Sequence, residues 1–363
     1  MPSKAKNILF VTSEFPPLPG GIGNHAFLLS KYLQKNNFKV SVLCDFRSEK
    51  EDLEFDAKQN FTIYRTKRNK LTQLNRIKKA FLLVKKNETI ICSGKFSLWI
   101  GGFLKTIFNA KKFIAVIHGS ELRAGGKFSQ FLTKWSLSKF DKLIAVSDFT
   151  KNYALQINPK LKIEVINNGI EKIEKNEEIE KLKNVNLVTV GNLTFRKGQQ
   201  NVIKALPLLK EKFPEIHYHC IGIPTEKEKF TKIAKSLNVL DNISFYGTLS
   251  DSERNKIVQK SSIFMMLSQM INNDFEGFGI AVLEANALGI PAIGSRDSGI
   301  ADAINDGFSG ILINQEDPKE IEKAISEIIN NYSKFSKDVI NWSENFEWNN
   351  IIKKYLKAIK NEA

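Results

Sequence analysis

Short apolar runs rich in branched residues alternate with longer segments of helical spacing, and the alternation occurs in two blocks of this 363-residue chain. A chain that alternates these two periods builds parallel strands joined by crossover helices. In the first block strands are predicted at 7–11, 39–44, 61–64, 89–92, 113–117, 142–146 and 162–166, with helices at 22–35, 71–86, 96–108, 127–139 and 148–156. In the second, strands at 186–190, 217–221, 243–246 and 263–267 alternate with helices at 199–210, 225–236 and 250–259. Between them Glu171–Lys183, an acid-and-lysine run with few large apolar residues, reads as a connector. The expected fold class is therefore α/β. Two Rossmann-like, doubly wound domains, residues 1–170 and 171–345, face across a cleft with ligand at the carboxyl ends of the strands, and an amphipathic tail follows from 346 to 363.

The most informative single stretch is DFEGFGIAVLEANALG, residues 274–289. Gly277 and Gly279 bracket Phe278 ahead of an apolar run, and Gly289 with Pro291 closes it as a helix C-terminus does. The predicted helix carries one charged side chain, Glu284, on a body apolar nearly all round, so it is expected against a sheet. A buried carboxylate with no obvious donor nearby in sequence points to a ligand rich in hydroxyls. Glu276 stands outside the helix N-terminus, beside glycines whose amides can approach a ligand closely. At ~1.5 Å per residue the two acids are separated by roughly 12 Å along the axis, a span that suits a nucleotide diphosphate sugar.

An acid, Gly-Phe-Gly and a second acid eight residues after the first, in EGFGIAVLEANALGIP, resemble the signature of the retaining glycosyltransferases of the GT-B fold, family four. The resemblance covers most of the chain. It implies that Glu276, with the backbone of Gly277, Phe278 and Gly279, addresses the donor sugar and that Glu284 holds the nucleotide ribose. It also implies that the C-terminal tail crosses back to pack on the first domain. One departure stands out: where the family commonly has Gly-Gly-x-Pro-Glu, this chain reads Ser298-Gly299-Ile300-Ala301-Asp302, so donor specificity does not carry over.

Other candidates lie at strand ends. Arg196 and Lys197 precede Gly198 and a helix start, where the dipole disfavours cations unless an anion lies between. A diphosphate leaving group supplies one, and in the family Arg and Lys at these places bind it. Gly20 and Gly21 follow the first strand and enter the first helix, where amides can face a phosphate or sugar, and the resemblance implies that this loop sits near the donor diphosphate and the acceptor. His118 ends a strand in IAVIHGSEL, and family members often carry His-Gly here near the donor sugar. Asn24, His25 and Glu121 are weaker acceptor-side candidates. Asn168-Gly169 reads as a structural turn.

Two other function classes compete. Gly21-x-Gly23-x-x-Ala26, with Asp45 ending the second strand, spells a dinucleotide fingerprint, although residues 13–19 with three prolines intervene where that motif needs a tight turn. Residues 1–170 hold 29 Lys and Arg against 12 Asp and Glu, so this half alone is expected to face an anionic partner. Nothing resembles a nucleic-acid recognition motif, so no nucleic-acid partner is expected. The densest run, Arg65 to Lys86, interleaves nine cations with apolar residues at helical spacing and suits an anionic membrane surface.

Three scattered cysteines without a metal-ligand pattern, and no secretory or membrane-spanning segment, point to reduced thiols and the cytoplasm, peripheral at most on its membrane. The absence of Asp-x-Asp, with Arg196 and Lys197 supplying charge, implies transfer without a metal or other cofactor. The sequence thus predicts a nucleotide-sugar donor and a glycan or lipid-linked acceptor.

Overall fold

The computed structural model describes residues 6–18, 20–123, 125–173 and 184–360, so most of the predicted connector lies outside the described residues. The chain divides into two compact units, Met1–Gly169 with Trp348–Ala363, and Ile170–Glu347.

The first unit runs β1 (Asn7–Thr12), α1 (Gly21–Lys35), β2 (Lys39–Asp45), α2 (Glu49–Asp56), β3 (Thr62–Thr66), α3 (Thr72–Val84), β4 (Thr89–Ser93), α4 (Lys95–Ile107), β5 (Lys112–Ile117), α5 (Lys127–Leu137), β6 (Lys142–Ala145), α6 (Asp148–Ile157) and β7 (Ile163–Val165). Its sheet has the order β3-β2-β1-β4-β5-β6-β7, with every strand pair parallel. The order reverses between β1 and β4, the point at which open α/β sheets leave a crevice at their carboxyl edge. Strand residues such as Leu9, Ile90 and Ala115 are fully buried because helices cover both faces. The sequence reading missed α2, whose EKEDLEFD buries only Asp52 and so carries no apolar period.

The second unit runs β8 (Asn186–Val190), α7 (Gln199–Lys212), β9 (His217–Ile221), α8 (Lys227–Ser236), β10 (Ile243–Gly247), α9 (Asp251–Lys260), β11 (Ile263–Met266), α10 (Ile280–Ala287), β12 (Ala292–Ser295), β13 (Gly310–Ile313), α11 (Pro318–Asn330) and α12 (Tyr332–Glu344). Its parallel sheet has the order β10-β9-β8-β11-β12-β13, reversing between β8 and β11. Local chemistry sets several helix starts. Ser250 and Glu253 form a reciprocal capping box at α9, and Asp317 caps α11 with Pro318 in its first turn.

The last helix, α13 (Trp348–Lys360), belongs to the first unit. Trp348 stacks on Tyr32 of α1 at 5.6 Å, and a Cβ on Gly169 would come within 2.9 Å of the Trp348 ring. Lys112 Nζ donates to the Ala358 and Ile359 carbonyls, satisfying two of the groups a helix end leaves open. Phe346, at the start of the predicted tail, instead stays in the second unit, 6.0 Å from the Phe278 ring and 5.1 Å from Trp342.

All three cysteines are buried and free, and burial pushes the Cys44 and Cys220 thiols up to about 12. They are inert core residues. No helix among the described residues is long and apolar enough to cross a membrane.

Candidate active site

The second unit gathers its chemistry at the reversal of its sheet. The loop leaving β8 carries Arg196 and Lys197, and the loop leaving β11 carries Asp274 and Glu276. Two backbone features stitch these loops together. The Gln269 N–H donates to the Arg196 carbonyl at 2.9 Å, and Gly198 lies against the Leu267 carbonyl. Gly198 has φ +81°, and a Cβ there would sit 1.7 Å from Leu267 O, so only glycine lets the two strand ends approach.

Arg196 Nη1 donates to Glu276 Oε2 at 2.6 Å, and Lys197 Nζ lies 2.8 Å from the same oxygen. Arg196 Nε is 3.5 Å from Asp274 Oδ2. From the sequence an anion is expected beside these cations; the Glu276 carboxylate, only 18% exposed, pairs with both of them. Burial pushes the Glu276 carboxyl up, but Lys197 and Arg196 together override it and hold it below the ordinary carboxylate range. Glu276 is therefore charged and is not a proton donor near neutral pH. It can steady positive charge on a bound sugar, while the cations remain open to an anion of higher charge.

Behind Glu276, the Gly299 N–H donates to the Glu276 carbonyl at 2.9 Å, and a Cβ on Gly299 would lie 2.2 Å from the Gly277 carbonyl. The departing segment Ser298–Asp302 thus supports the backbone of the Gly277–Gly279 turn, a function sequence reasoning did not assign. Phe278 is buried, its ring 6.0 Å from that of Phe346. Glu284 sits half-buried on α10 with no hydrogen bond or ion pair among the described residues. Burial raises its pKa, Arg254 opposes the rise and Asp251 adds to it. An unsatisfied, partly buried carboxyl accepts ligand hydroxyls readily.

The first unit holds the remaining candidates, and only some are free to act. Gly20 caps α1, and Gly21 opens it exposed, with no side-chain cap on the helix amides. Asn24 is exposed on the first turn. His25 is 2% exposed, and its Nε2 is 2.9 Å from the Tyr355 hydroxyl of α13, so it tethers that helix rather than reaching an acceptor. Glu121 also changes role. Fully buried, it accepts the Gly94, His118 and Gly119 N–H groups at 3.2, 3.0 and 2.9 Å, clamping the β4 and β5 ends. Burial lifts its carboxyl to about 7 against those backbone donors.

His118 is half-buried at the end of β5, its ring 4.8 Å from that of His25, with a buried Nε2 that has no partner among the described residues. Burial pushes its pKa down to about 3, so it is neutral at pH 7. Asp45, the ribose acid of a dinucleotide fold, is spent: it is 4% exposed, accepts the Thr66 hydroxyl at 2.7 Å and pairs with Arg76. That pairing removes the anchor of the dinucleotide reading.

All four histidines have lowered pKa values, through burial in each case, with His118 adding to His25 and His217 to His219. The unfolded chain then binds more protons than the native one below about pH 6.5, so stability falls as pH drops from there towards the native values. Glu121 acts in the opposite direction, favouring the native state on acidification from about 7 towards 4.5. For His118 alone the loss is about 2 kcal/mol at pH 5. We expect the midpoint of thermal unfolding to drop between pH 7 and 5, and His118→Asn to flatten that slope; an unchanged slope in the variant would refute the assignment.

Residues 169–346 match the family described as glycosyl transferases group 1, and residues 19–172 match Glycosyltransferase Family 4. An uncharacterised glycosyltransferase of Methanocaldococcus jannaschii is 32% identical over 287 residues, 71% of this chain and 70% of its own. A GDP-mannose-dependent alpha-(1-6)-phosphatidylinositol monomannoside mannosyltransferase of Mycolicibacterium smegmatis is 23% identical over 89% of both chains. Among solved structures, Anabaena Alr3699/HepE in complex with UDP and glucose superposes with a TM-score of 0.80 at 16% identity, covering 98% of this chain and 100% of that one. The shared architecture is the GT-B fold.

Proposed function

This chain belongs to the group 1, family 4 glycosyltransferases, and from that premise we propose that it is a retaining enzyme moving a sugar from a nucleotide diphosphate donor to a hydroxyl of a glycan or lipid-linked acceptor. The observation that carries the reading is the Arg196–Lys197–Glu276 cluster at the sheet reversal of the second unit. In it the two cations take the diphosphate and neutralise charge as the sugar–phosphate bond breaks, a stabilisation that grows towards the transition state. Glu276 and the Gly277–Gly279 amides address the sugar, and Glu284 accepts the ribose hydroxyls. Gly20 and Gly21 present helix amides on the first unit, and neutral His118 offers Nε2 to a sugar hydroxyl. Glycolipid or cell-surface polysaccharide synthesis, including lipopolysaccharide, is the setting that suits such a transfer, and the mycobacterial relative, a phosphatidylinositol monomannoside mannosyltransferase, supports a lipid acceptor.

Because Arg196 and Lys197 supply the positive charge, transfer proceeds without a divalent ion. Purified protein should turn over one UDP- or GDP-sugar, keep its rate in EDTA and yield product with the donor's anomeric configuration. Inversion, or activity restored only by Mg²⁺ or Mn²⁺, would overturn the mechanism while leaving sugar transfer intact.

We also propose a cytoplasmic protein docked on an anionic membrane, but with fewer charges than the run suggests. Arg65 and Arg76 are buried in ion pairs with Asp52, Asp56 and Asp45, whereas Lys78, Lys85 and Lys86 are exposed beside exposed Leu74 and Leu82. Each cation near an anionic leaflet contributes ~1 kcal/mol. Sedimentation with anionic vesicles should fall when Lys78, Lys79, Lys85 and Lys86 become Glu; equal binding to neutral vesicles would refute it.

A further inference from the structure

We propose that the first unit binds a phosphoryl group of the acceptor, in a cationic cleft at the carboxyl ends of β2 and β3. The inference rests on the reading that the second unit takes the donor, which leaves a phosphate site on the first unit to the acceptor. The cleft has a volume of about 590 Å³, and Arg47, Arg68, Lys70, Gln73, Arg76 and Phe96 are among its lining residues. That volume suits a small ligand.

Its one acidic lining residue is Asp45. Asp45 Oδ1 accepts from the Thr66 hydroxyl at 2.7 Å and from Arg76 Nε at 3.1 Å, and Oδ2 pairs with Arg76 Nη2, so this acid cancels Arg76 and nothing more. Three cations remain without a compensating acid in the wall. Arg68 and Lys70 are exposed and form no ion pair among the described residues, and the Arg47 guanidinium makes one long contact, 3.4 Å to the Ser13 carbonyl. Lys67, by contrast, is already held by Glu49 at 3.3 Å.

A second observation is independent of this charge count. Arg76 is 1% exposed and lines the cleft, yet its buried Nη1 has no hydrogen-bond partner among the described residues. A guanidinium donor left open in a wall costs free energy that an oxyanion recovers, and the planar fork of arginine matches phosphate oxygens. The start of α3 adds to the same field: Thr72 and Gln73 line the cleft, and the first turn of this 13-residue helix has no acidic residue. A carboxylate would satisfy one or two of these donors; a phosphomonoester, with up to two charges and three terminal oxygens, meets Arg76 and the exposed cations together. The phosphoryl group can belong to a soluble sugar phosphate or to a lipid headgroup.

The test uses the full chain carrying Arg196→Ala and Lys197→Ala, so that the second unit does not contribute phosphate binding. Inorganic phosphate, followed by ³¹P line broadening at low salt, should bind this background and weaken at least tenfold when Arg68→Ser and Lys70→Ser are added. Lys67→Ser, which removes one charge outside the cleft, should leave it unchanged. No phosphate binding, or equal weakening by Lys67→Ser, would overturn the site. In the same Arg196→Ala/Lys197→Ala background, displacement of phosphate by glucose 6-phosphate identifies a soluble phosphoryl source. Sedimentation with phosphatidic acid but not phosphatidylcholine vesicles, lost in Arg68→Ser/Lys70→Ser, identifies a headgroup. Failure of wild-type protein to turn over any nucleotide sugar would sink the transfer reading and leave the phosphate titration to stand on its own.

Discussion

Glu276→Gln should lower the rate of sugar transfer by about 100-fold or more while the protein stays folded, and Arg196→Ala should do the same for a different reason. Glutamine keeps the shape of the side chain but removes the negative charge that lies 2.6 Å from Arg196 and 2.8 Å from Lys197. A transition state that builds positive charge on the sugar then loses its nearest counter-charge, and single electrostatic contacts of this kind are worth roughly 10²–10³ in rate. The donor diphosphate, however, meets two cations no longer neutralised from within, so donor affinity should rise. Arg196→Ala removes one of those cations, so donor affinity and rate should fall together. Steady-state kinetics separates the two: Glu276→Gln lowers kcat and KM together, whereas Arg196→Ala lowers kcat and raises KM. Rates within threefold of wild type in both variants would remove this cluster from the chemistry.

The second large effect is structural. Gly198→Ala should destabilise the second unit by about 3 kcal/mol or more, and Gly247→Ala by only about 1 kcal/mol. Both glycines have positive φ, +81° and +72°, so an alanine pays the left-handed penalty at each. They differ in what the new Cβ meets. At Gly198 it would fall 1.7 Å from a backbone oxygen, which cannot turn aside as a flexible side chain would; at Gly247 nothing lies within 4 Å. Chemical denaturation of the two variants compares them directly, and equal losses would show that the loops leaving β8 and β11 do not depend on this close approach.

Much of the fold was legible because it is written locally. The alternation of periods locates the strands around both sheet reversals, and Gly277, Gly279 and Gly289 bound a helix whose apolar body leaves Glu284 as its one charge. Partnerships between distant segments were not legible. Glu276 and Arg196 lie 80 residues apart, and nothing near either announces that the carboxylate will pair with both cations. Arg65 and Arg76 look like two more charges in a basic run, and only the strand order brings Asp52, Asp56 and Asp45 to them. Glu121, three residues after a strand-end histidine, reads as a ligand-facing acid, yet the backbone turns so that the side chain folds back onto its own amides. Local pattern carries periodicity and turns; it does not carry which buried charge a neighbouring loop will neutralise.

A calorimetric titration with UDP and GDP reads the donor site most directly, since it needs neither the sugar nor the acceptor to be known. Wild-type protein should bind one of the two, Arg196→Ala should bind it at least tenfold more weakly, and Glu276→Gln should bind it severalfold more tightly. The same affinity in all three proteins would contradict the assignment of the diphosphate to Arg196 and Lys197.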